Sequence, residues 1–424
     1  MLIRSVLKTA LIAILGLCPS HALAGVKISR EDANWITVWG AMPQLTEPAN
    51  LPPPPFNQTG LTFENTTIRQ TVKVSLKTSS LRLQISNAFG GSELRLSAVS
   101  FALPANSSTA GGSAIKPSTD RSLTFSGQDS FIIPKGALVV SDPFEIALDA
   151  ESIVTISIYL EGGQVTNDIT SHPGSRTTSW LTKGNHIHDT DLTGAVGVDH
   201  WYFISALEAE KSNKASTIAI VGDSLTDGRG STTNANNRWP DQLLSRLQEK
   251  KQTSQIAILN QAAGGNRLLT DGLGPNGLSR LDRDVIAHSG VKHAILFIGI
   301  NDIGTTAAES GPQAEITARI TGGYQQAVIR LRRHGILVYG CTLMPAAAKG
   351  NAYGLPEREK ARQAVNEWIR DSGTFDAVID FDKMVRNPNK VDEILEEYDS
   401  GDGLHLNRAG YQAMADGIDL QLFI

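Results

Sequence analysis

The chain has 424 residues, of which 19% are charged and 41% are hydrophobic, and its formal net charge is −5 at pH 7. This composition excludes an intrinsically disordered chain, and at roughly 150 residues per domain the length suggests two or three domains. The acidic balance argues against a protein that binds nucleic acid or an anionic membrane through its charge.

The sequence starts with the pattern of a secretory signal peptide. Arg4 and Lys8 precede an apolar run at 9–17, and Ala22-Leu23-Ala24 supplies the small residues of a cleavage site. The apolar run is shorter than the roughly 20 residues that span a membrane. We therefore predict a signal peptide over 1–24 and a secreted protein, extracellular or periplasmic, without a membrane anchor.

Covalent cross-links are not expected within the mature chain. Cys18 would leave with the signal peptide, and Cys341 ends an apolar, strand-like run at 337–341. A cysteine in such a run is more often a buried small side chain than a nucleophile. Sequons that would carry glycans only in a eukaryotic secretory host stand at Asn57, Asn65 and Asn106.

Residues 25–208 predict an all-β domain. Clusters of Gly, Asn, Asp and Pro separate short alternating segments at 68–76, 81–86, 94–103, 152–160 and 201–207. Many short strands with turn residues between them are typical of a β-sandwich or jelly roll. A loop-like stretch of this region holds three histidines that we expect at the surface, although they could reach a functional site: His172, His186 and His188.

A polar stretch at 209–216 predicts a linker, and residues 217–424 predict an α/β domain. Apolar runs of strand length alternate there with helix-period segments, which is typical of a parallel sheet covered on both faces. We expect its strands at 217–221, 256–259, 294–298, 336–341 and 377–379. We expect its helices at 239–250, 278–287, 313–333, 357–370 and 408–420, the last one capped by Asn407.

Polar clusters follow the first three predicted strands. Gly-Asp-Ser-Leu at 222–225 follows the first, a Gly-rich turn at 260–266 the second and Gly-Ile-Asn-Asp at 299–302 the third. A fourth cluster, Asp-Gly-Leu-His at 402–405, precedes the last helix. Because ligands of such sheets bind beyond the carboxyl ends of the strands, we expect the four clusters to meet at one edge.

Together the clusters contain the parts of a serine acyl-transfer site. His405 could accept the proton of the Ser224 hydroxyl, and Asp402 could orient the imidazole and raise the pKa of His405 above its ordinary value of about 6.5. The backbone N–H groups of Ser224 and Gly265 and the amide of Asn301 could bind an oxyanion. Each residue alone is more often a turn or cap residue, but their coincidence at successive strand ends favours the chemical interpretation.

These clusters resemble the motifs of the SGNH hydrolases, also called GDSL-type esterases and lipases. Ser224 stands in Gly-Asp-Ser-Leu, Gly265 five positions after Asn260, Asn301 in Gly-x-Asn-Asp, and His405 in Asp-x-x-His. The motifs follow one another in the chain order of that family, and the resemblance covers 217–424.

The resemblance implies a three-layer αβα, flavodoxin-like domain that hydrolyses carboxylic esters. It implies Ser224, His405 and Asp402 as catalytic residues, with an oxyanion hole formed by Ser224, Gly265 and Asn301. The family has supporting positions in the same motifs, and they fall on Asp223, Asn260 and Asp302.

The first half resembles the β-sandwich that precedes the catalytic domain in a secreted subgroup similar to xylanase-associated esterases. Segments 86–90 and 118–125 carry this resemblance. It implies a jelly-roll-like sandwich and a short-chain ester such as acetylated carbohydrate. We expect the small residues of 344–356, after the fourth strand of the α/β domain, to line the substrate pocket.

Other sites fit the sequence less well. The Gly-x-Gly-x-x-Gly match at 272–277 does not directly follow a strand, and Pro275 lacks the N–H that a phosphate loop would use. Thr226 replaces the last glycine of the α/β-hydrolase motif Gly-x-Ser-x-Gly, and the sequence contains neither His-Glu-x-x-His nor Cys-x-x-Cys.

We therefore predict no cofactor and no metal, a small-molecule or polysaccharide ester as the partner, and no nucleic acid. Three alternatives to a hydrolase of short-chain esters remain open on the same residues. They are an acyltransferase, a lipase or lysophospholipase, and a catalytically inactive carbohydrate-binding protein. The oligomeric state cannot be read from the sequence.

Overall fold

The computed structural model describes residues 35–210 and 214–424. The predicted signal peptide at 1–24 lies outside the described residues, and so does part of the predicted linker at 209–216. The signal peptide, the linker and the domain bounds at 25–208 and 217–424 therefore stay predictions.

The first half consists mainly of antiparallel β-strands. They are β1 (Trp35–Gly40), β2 (Gln44–Leu45), β3 (Asn57–Gln58), β4 (Leu61–Thr62), β5 (Thr66–Lys73), β6 (Thr78–Ser86), β7 (Leu94–Leu96), β8 (Ala98–Ala102), β9 (Arg121–Ser122), β10 (Phe131–Ile133), β11 (Leu138–Val140), β12 (Phe144–Leu148), β13 (Ile153–Leu160), β14 (Thr170–His172), β15 (Ser179–Lys183), β16 (Val196–Val198), β17 (Trp201–Tyr202) and β18 (Ile204–Glu210). Single turns of 3₁₀ helix lie at Pro48–Asn50 and Pro117–Thr119.

Two sheets enclose the core of this half. One has the order β1-β18-β6-β11, with β12 also paired to β6, and the other has the order β16-β15-β5-β13-β8-β9. Apolar side chains of both sheets, such as Leu83 and Ile85 of β6 and Ile156 and Ile158 of β13, belong to one buried cluster. The prediction of a mostly antiparallel β region is confirmed, whereas the jelly-roll-like arrangement stays a prediction.

The second half is a parallel sheet with helices. Its strands are β19 (Ser216–Gly222), β20 (Ile256–Ala262), β21 (Val291–Phe297), β22 (Leu337–Cys341) and β23 (Ala377–Ile379), followed by the hairpin β24 (Arg386–Asn387) and β25 (Lys390–Ile394). Its helices are α1 (Ser224–Asp227), α2 (Trp239–Gln248), α3 (Gly277–Leu281), α4 (Ile300–Thr305), α5 (Ser310–Arg332), α6 (Pro356–Asp371), α7 (Phe381–Val385) and α8 (Arg408–Gly417). Short 3₁₀ turns lie at Ala348–Gly350, Ala352–Gly354, Glu396–Tyr398 and Leu420–Phe423.

The parallel strands have the order β20-β19-β21-β22-β23, which is the strand order of flavodoxin-like folds. Helices α2, α7 and α8 pack together, and α3 to α6 form a second packed group. The chain runs from β19 outward to β20 and then back across the sheet to β21, β22 and β23. Because crossovers between parallel strands are right-handed, the helices of the later crossovers, α3 to α6, lie on the opposite face of the sheet from α2. The predicted α/β fold is confirmed. Among the described residues, none of the helices is both long enough and apolar enough to cross a membrane.

All five predicted helices are found, with ends that differ by up to three residues, and two of the differences have a clear local form. The helix expected at 278–287 starts as α3 and continues as a π-helical turn at Asp282–Ile286. The last helix stops at Gly417, because Ile418 adopts an extended backbone conformation. Its start is as predicted, since the Asn407 side chain accepts the N–H groups of Ala409 and Gly410. Cys341 is buried at the end of β22, as expected.

The first half covers one edge of the parallel sheet. Strand β20 is outermost, and the Ser75 hydroxyl accepts the N–H of Ile258 at 3.2 Å and donates to its carbonyl at 3.3 Å. The Thr217 hydroxyl also donates to the carbonyl of Thr37 in β1, at 2.8 Å. An open strand edge leaves backbone groups unpaired. These contacts satisfy part of that edge and fix the two halves against each other.

Candidate active site

Ser224 lies in the tight turn between β19 and α1. Asp223 precedes it in an extended conformation and caps α1, accepting the N–H of Leu225 at 3.0 Å. A Cβ atom on Gly222 would lie 2.5 Å from Thr226 Oγ1, so the turn closes this tightly only with glycine there. The Ser224 side chain is therefore held at the carboxyl end of the parallel sheet.

His405 joins Ser224 and Asp402 in one chain of hydrogen bonds. The Ser224 Oγ lies 2.8 Å from His405 Nε2, and His405 Nδ1 lies 2.7 Å from Asp402 Oδ2. The other oxygen of Asp402 accepts the backbone N–H groups of Leu404 and His405, at 3.0 and 2.8 Å. The structure thus brings together the three side chains that the sequence analysis assigned to catalysis.

The two ionisable groups of this chain have shifted pKa values. Burial by itself would raise the pKa of Asp402, but hydrogen bonds from the backbone and imidazole of His405 and from the Leu404 N–H outweigh it and lower that pKa to about 2. Burial lowers the pKa of His405 below its ordinary value of 6.5, although Asp402 acts in the opposite direction. The positive charges of Arg229 and Arg176 lower it further. The expected upward shift is therefore wrong, because desolvation of the imidazolium is the larger effect.

The three residues expected to supply oxyanion donors, Ser224, Gly265 and Asn301, line one cleft, and His405 lines it too. Within the described residues, the N–H groups of Ser224 and Gly265 have no hydrogen-bond acceptor. Gly265 adopts a φ of +70°, and a Cβ there would lie 2.6 Å from Leu273, so glycine is required. Asn301 Nδ2 donates to the carbonyl of Asn266 at 3.0 Å, which leaves its second amide hydrogen for a ligand.

The supporting positions shape the turns around these donors. Asp302 accepts the N–H groups of Leu268 and Leu269 at 2.7 and 3.0 Å. Asn260 donates to the carbonyl of Thr226 at 3.2 Å, tying the turn after β20 to the Ser224 turn. Burial raises the pKa of Asp223 to about 7, with the charges of Asp302 and Asp227 adding to the effect.

The first half forms one wall of the cleft. The sequence analysis had not identified any residue of the first half as part of this wall. Residues of this wall come from segments 44–50, 173–176 and 199–200: Gln44, Glu47, Asn50, Pro173, Gly174, Arg176, Asp199 and His200. All lie in short strands, a single 3₁₀ turn or irregular segments, where neither periodicity nor a motif marks a functional side chain.

The expectation of three surface histidines is wrong for His172. Its side chain is 4% exposed, and its Nε2 lies 2.9 Å from Asp227 Oδ1 at the end of α1. His186 and His188 keep side-chain exposures of 39% and 51%, as expected of surface residues. His172 therefore belongs to the contact between the two halves next to the cleft.

The loop at 344–356 contributes one side chain to the cleft, Tyr353. The Tyr353 hydroxyl donates to Asn301 Oδ1 at 3.0 Å. Elsewhere the loop supports the turn that carries His405, since Asn351 donates to the carbonyl of Asp402 at 2.9 Å. The loop was expected to shape the pocket, and it does so mainly by positioning Asn301 and the Asp402–His405 turn.

The glycine-rich stretch that the sequence analysis set aside is a structural turn. The glycine-rich stretch at 272–277 folds into a turn in which Asp271 accepts the N–H of Asn276, and Asn276 caps α3. Within 35–210 and 214–424, no three His, Cys, Asp or Glu side chains are grouped to hold a metal ion.

The chain was compared with models of protein families. Residues 220–413 match the model of the GDSL-like lipase/acylhydrolase family. This range contains Ser224, Gly265, Asn301, Asp402 and His405. No curated protein matches the chain in sequence.

Several solved structures are similar to about half of the chain. A carbohydrate acetylesterase from Sinorhizobium meliloti is 19% identical, over 47% of this chain and 94% of its own, with a TM-score of 0.36. An acetyl xylan esterase is 19% identical, over 49% of this chain and 100% of its own, with a TM-score of 0.36. An aryl esterase from M. smegmatis is 16% identical, over 49% of this chain and 98% of its own, with a TM-score of 0.37.

Proposed function

Because residues 220–413 form a GDSL-like lipase/acylhydrolase domain, and the chain is thus a carboxylic ester hydrolase, we propose that it cleaves short acyl esters of carbohydrates through Ser224, His405 and Asp402. The observation that carries the mechanism is the chain of hydrogen bonds from Ser224 through His405 to Asp402, with distances of 2.8 and 2.7 Å. This is the geometry of a nucleophile, its general base and the group that orients the base.

In the first half of the reaction, the Ser224 oxygen attacks the carbonyl carbon of the ester while its proton passes to His405 Nε2. The carbonyl π electrons move onto the oxygen, which becomes an oxyanion. When the tetrahedral intermediate collapses, the C–O bond to the alcohol breaks, and the leaving oxygen takes the proton from His405 Nε2. The acyl group remains on Ser224 as an ester.

The oxyanion is stabilised by donors that the folded chain holds in place beforehand. The free N–H groups of Ser224 and Gly265 and the spare amide hydrogen of Asn301 supply three of them. Asp402 keeps the Nδ1 proton of His405 in a hydrogen bond of 2.7 Å, so Nε2 stays free to accept the serine proton.

In the second half, water replaces the alcohol. His405 Nε2 takes a proton from the water, whose oxygen attacks the acyl carbon of Ser224, and the same donors hold the second oxyanion. Collapse breaks the bond to Ser224, which regains its proton from His405, and the carboxylic acid leaves.

The cleft supports a hydrophilic substrate. Its apolar side chains are Pro173, Leu273 and Leu404, and its other side chains are mostly charged, amide or hydroxyl groups. A site for long acyl chains would be lined mainly by apolar side chains. The cleft is therefore better suited to a short acyl group on a sugar than to a lipid, which agrees with the resemblance of the first half to carbohydrate-esterase sandwiches.

Secretion and the domain organisation are also part of the proposal. The basic, apolar and small-residue pattern of 1–24 supports export of a soluble enzyme to the periplasm or the medium. An exported enzyme would encounter polysaccharide esters there.

The test compares the wild type with Ser224→Ala on 4-nitrophenyl acetate, butyrate and octanoate and on acetylated xylan. We expect turnover to fall with acyl length, acetate to be released from xylan, and Ser224→Ala to lose several orders of magnitude in kcat. Stoichiometric labelling of Ser224 by a fluorophosphonate distinguishes an active enzyme from an inactive binding protein. Acyl transfer to added alcohol in preference to water would instead indicate an acyltransferase, and full turnover in Ser224→Ala would end the serine mechanism.

A further inference from the structure

Arg176 lies in the wall of the cleft without a counter-ion. It comes from the first half and lines the cleft together with Ser224 and His405. Within the described residues, its guanidinium forms no ion pair or hydrogen bond, and its Nε is buried without an acceptor. The two terminal nitrogens of Arg176 are not buried, so in the wall of the cleft they remain available to a ligand that offers hydrogen-bond acceptors.

Within the described residues, the carboxylates in and beside the cleft do not serve as this partner, since none forms a hydrogen bond or ion pair with Arg176. Each accepts hydrogen bonds from other side chains: Glu47 from Gln44 and Asn50, Asp199 from Thr178, Asp227 from His172, and Asp402 from His405. The hydrogen bonds to Glu47 and Asp199 come from neutral amide and hydroxyl groups and orient these carboxylates without pairing them with Arg176, whose guanidinium donors stay unused by the described residues.

The backbone of Arg176 is held in place by the catalytic half. Arg176 has a φ of +50°, in the left-handed region that non-glycine residues rarely adopt. Its carbonyl accepts the N–H of Asn234 at 2.9 Å, and the Asn234 side chain bonds both the N–H and the hydroxyl of Thr178, at 2.8 and 3.0 Å. On the other side, a Cβ on Gly174 would lie 1.7 Å from Asp227, so this segment packs directly against the end of α1. Such strain persists where neighbouring contacts fix it, and it is concentrated at ligand sites.

A second arginine lies in the same cleft. Arg229 follows the Ser224 helix, and its Nε is 4.0 Å from Asp402 Oδ2 with the side chain 64% exposed. At that distance and exposure, most of its donors remain available to a ligand. Arg176 and Arg229 both act on the electrostatics of His405. Two guanidinium groups, one from each half, therefore lie close to the proposed reacting atoms.

We propose that Arg176, assisted by Arg229, binds an anionic group of the ester substrate, so that the enzyme prefers acylated acidic polysaccharides such as those containing uronic acids. This rests on the proposed function and narrows its substrate class. The planar guanidinium forms two parallel hydrogen bonds with a carboxylate, and it binds a sulfate through the same donors. The shared chemistry is an oxyanion on the sugar, and the experiment distinguishes its two sources.

The test uses the full chain and one polymer in two forms. Acetylated glucuronoxylan is compared with the same polymer after its carboxylates have been converted to amides, with acetate release as the readout. We expect kcat/KM to be about 10- to 100-fold higher for the anionic form, the range for charge-assisted hydrogen bonds. Competition by glucuronate, glucose 6-sulfate and glucose against 4-nitrophenyl acetate then separates a carboxylate site from a sulfate site.

The variants assign the preference to the arginines. The quantity compared is the ratio of kcat/KM for the anionic polymer to kcat/KM for the neutral polymer. We expect Arg176→Gln to abolish most of the preference, Arg229→Gln to reduce it less, and Arg176→Lys to retain part of it. Arg95→Gln is the matched control, since this arginine is 60% exposed in β7, outside the cleft, and should leave the ratio unchanged.

Two results would overturn the proposal. One is a wild-type enzyme that releases acetate equally fast from both polymers, a result that needs no folded variant. The other is a ratio that stays unchanged in both Arg176→Gln and Arg229→Gln. Failure of the proposed function is a separate outcome, because it would show as ester hydrolysis that persists in Ser224→Ala.

Discussion

The imidazole of His172 and the carboxyl group of Asp227 form a buried hydrogen-bonded pair that joins the two halves of the chain beside the cleft. Nε2 lies 2.9 Å from Asp227 Oδ1, while Nδ1 lies 3.0 Å from the carbonyl of Met42. The carbonyl of Met42 can only accept, so Nδ1 donates to it, while Nε2 is hydrogen-bonded to the Asp227 carboxyl group. The second oxygen of Asp227 accepts the N–H of Gly264 at 3.1 Å, next to the proposed oxyanion donor Gly265. A residue of the first half thus helps to position the turn of the second half that carries Gly265.

Replacing His172 by Ala should destabilise the protein strongly. The change leaves the Asp227 carboxylate, 1% exposed, without its partner, which typically costs about 3–5 kcal/mol. Urea unfolding followed by tryptophan fluorescence measures the difference. The control is His186→Ala, whose exposed pair with Asp189 should contribute about 0–1 kcal/mol. Equal stabilities of the two variants would contradict a structural role for His172.

The acid limb of the pH–rate profile should lie below pH 6.5. Burial lowers the pKa of His405 below that value, and the base must be neutral to accept the serine proton. Activity should therefore be complete at neutral pH and decline as the pH falls through the lowered pKa. Measuring kcat/KM for 4-nitrophenyl acetate from pH 4 to 8 tests this, and a midpoint above 6.5 would contradict it. Arg176→Gln should move the midpoint upward, because it removes a charge that disfavours the imidazolium.

Asn301 and Tyr353 should act as a unit. Losing one oxyanion donor typically lowers kcat by about 10²–10³, which we expect for Asn301→Ala. Tyr353→Phe removes the hydrogen bond that orients the Asn301 amide, and a net hydrogen bond of about 0.5–1.5 kcal/mol predicts a loss of roughly 2- to 10-fold. In the Asn301→Ala background, Tyr353→Phe should have no further effect on kcat. Full additivity would mean that Tyr353 acts independently of Asn301, and Tyr398→Phe, outside the cleft, is the control.

Asp223→Asn should stabilise the protein increasingly as the pH rises. Burial raises the pKa of Asp223 to about 7 from an ordinary 3.8, so the folded protein keeps a proton that the unfolded chain has lost between these values. The wild type therefore loses stability from about pH 4 to 7, whereas Asn, which can still accept the N–H of Leu225, does not. The difference in Tm between variant and wild type should widen up to about pH 7 and then level off. A difference in Tm that stays constant with pH would contradict the shifted pKa. The control is Asp371→Asn, at an exposed position, for which we expect no difference in Tm that changes with pH.

The sequence predicted the fold and the central residues of the site because each motif directly follows a strand. Ser224, Gly265 and Asn301 stand within five residues of a strand end, where the parallel sheet dictates their meeting. His405 was placed by its three-residue spacing from Asp402. The strand positions followed from apolar runs, and Asn407 from its position before the last helix.

The first-half wall of the cleft could not be predicted in this way. His172 and Arg176 act only through the packing of two halves, and β14, which ends at His172, is three residues long and carries no pattern. The pKa of His405 was predicted in the wrong direction because its neighbour is visible in the sequence, while its burial is a property of the folded chain.

The contact between Ser75 and Ile258 implies that the second half is poorly suited to exist as an isolated domain. Without the first half, the N–H and carbonyl of Ile258 lose the Ser75 hydroxyl, and the edge strand β20 is exposed to solvent. Exposed edge strands can pair with strands of other molecules. A fragment limited to 214–424 should therefore self-associate and lose one wall of its substrate cleft, so any shortened version of this enzyme needs a substitute for that cover.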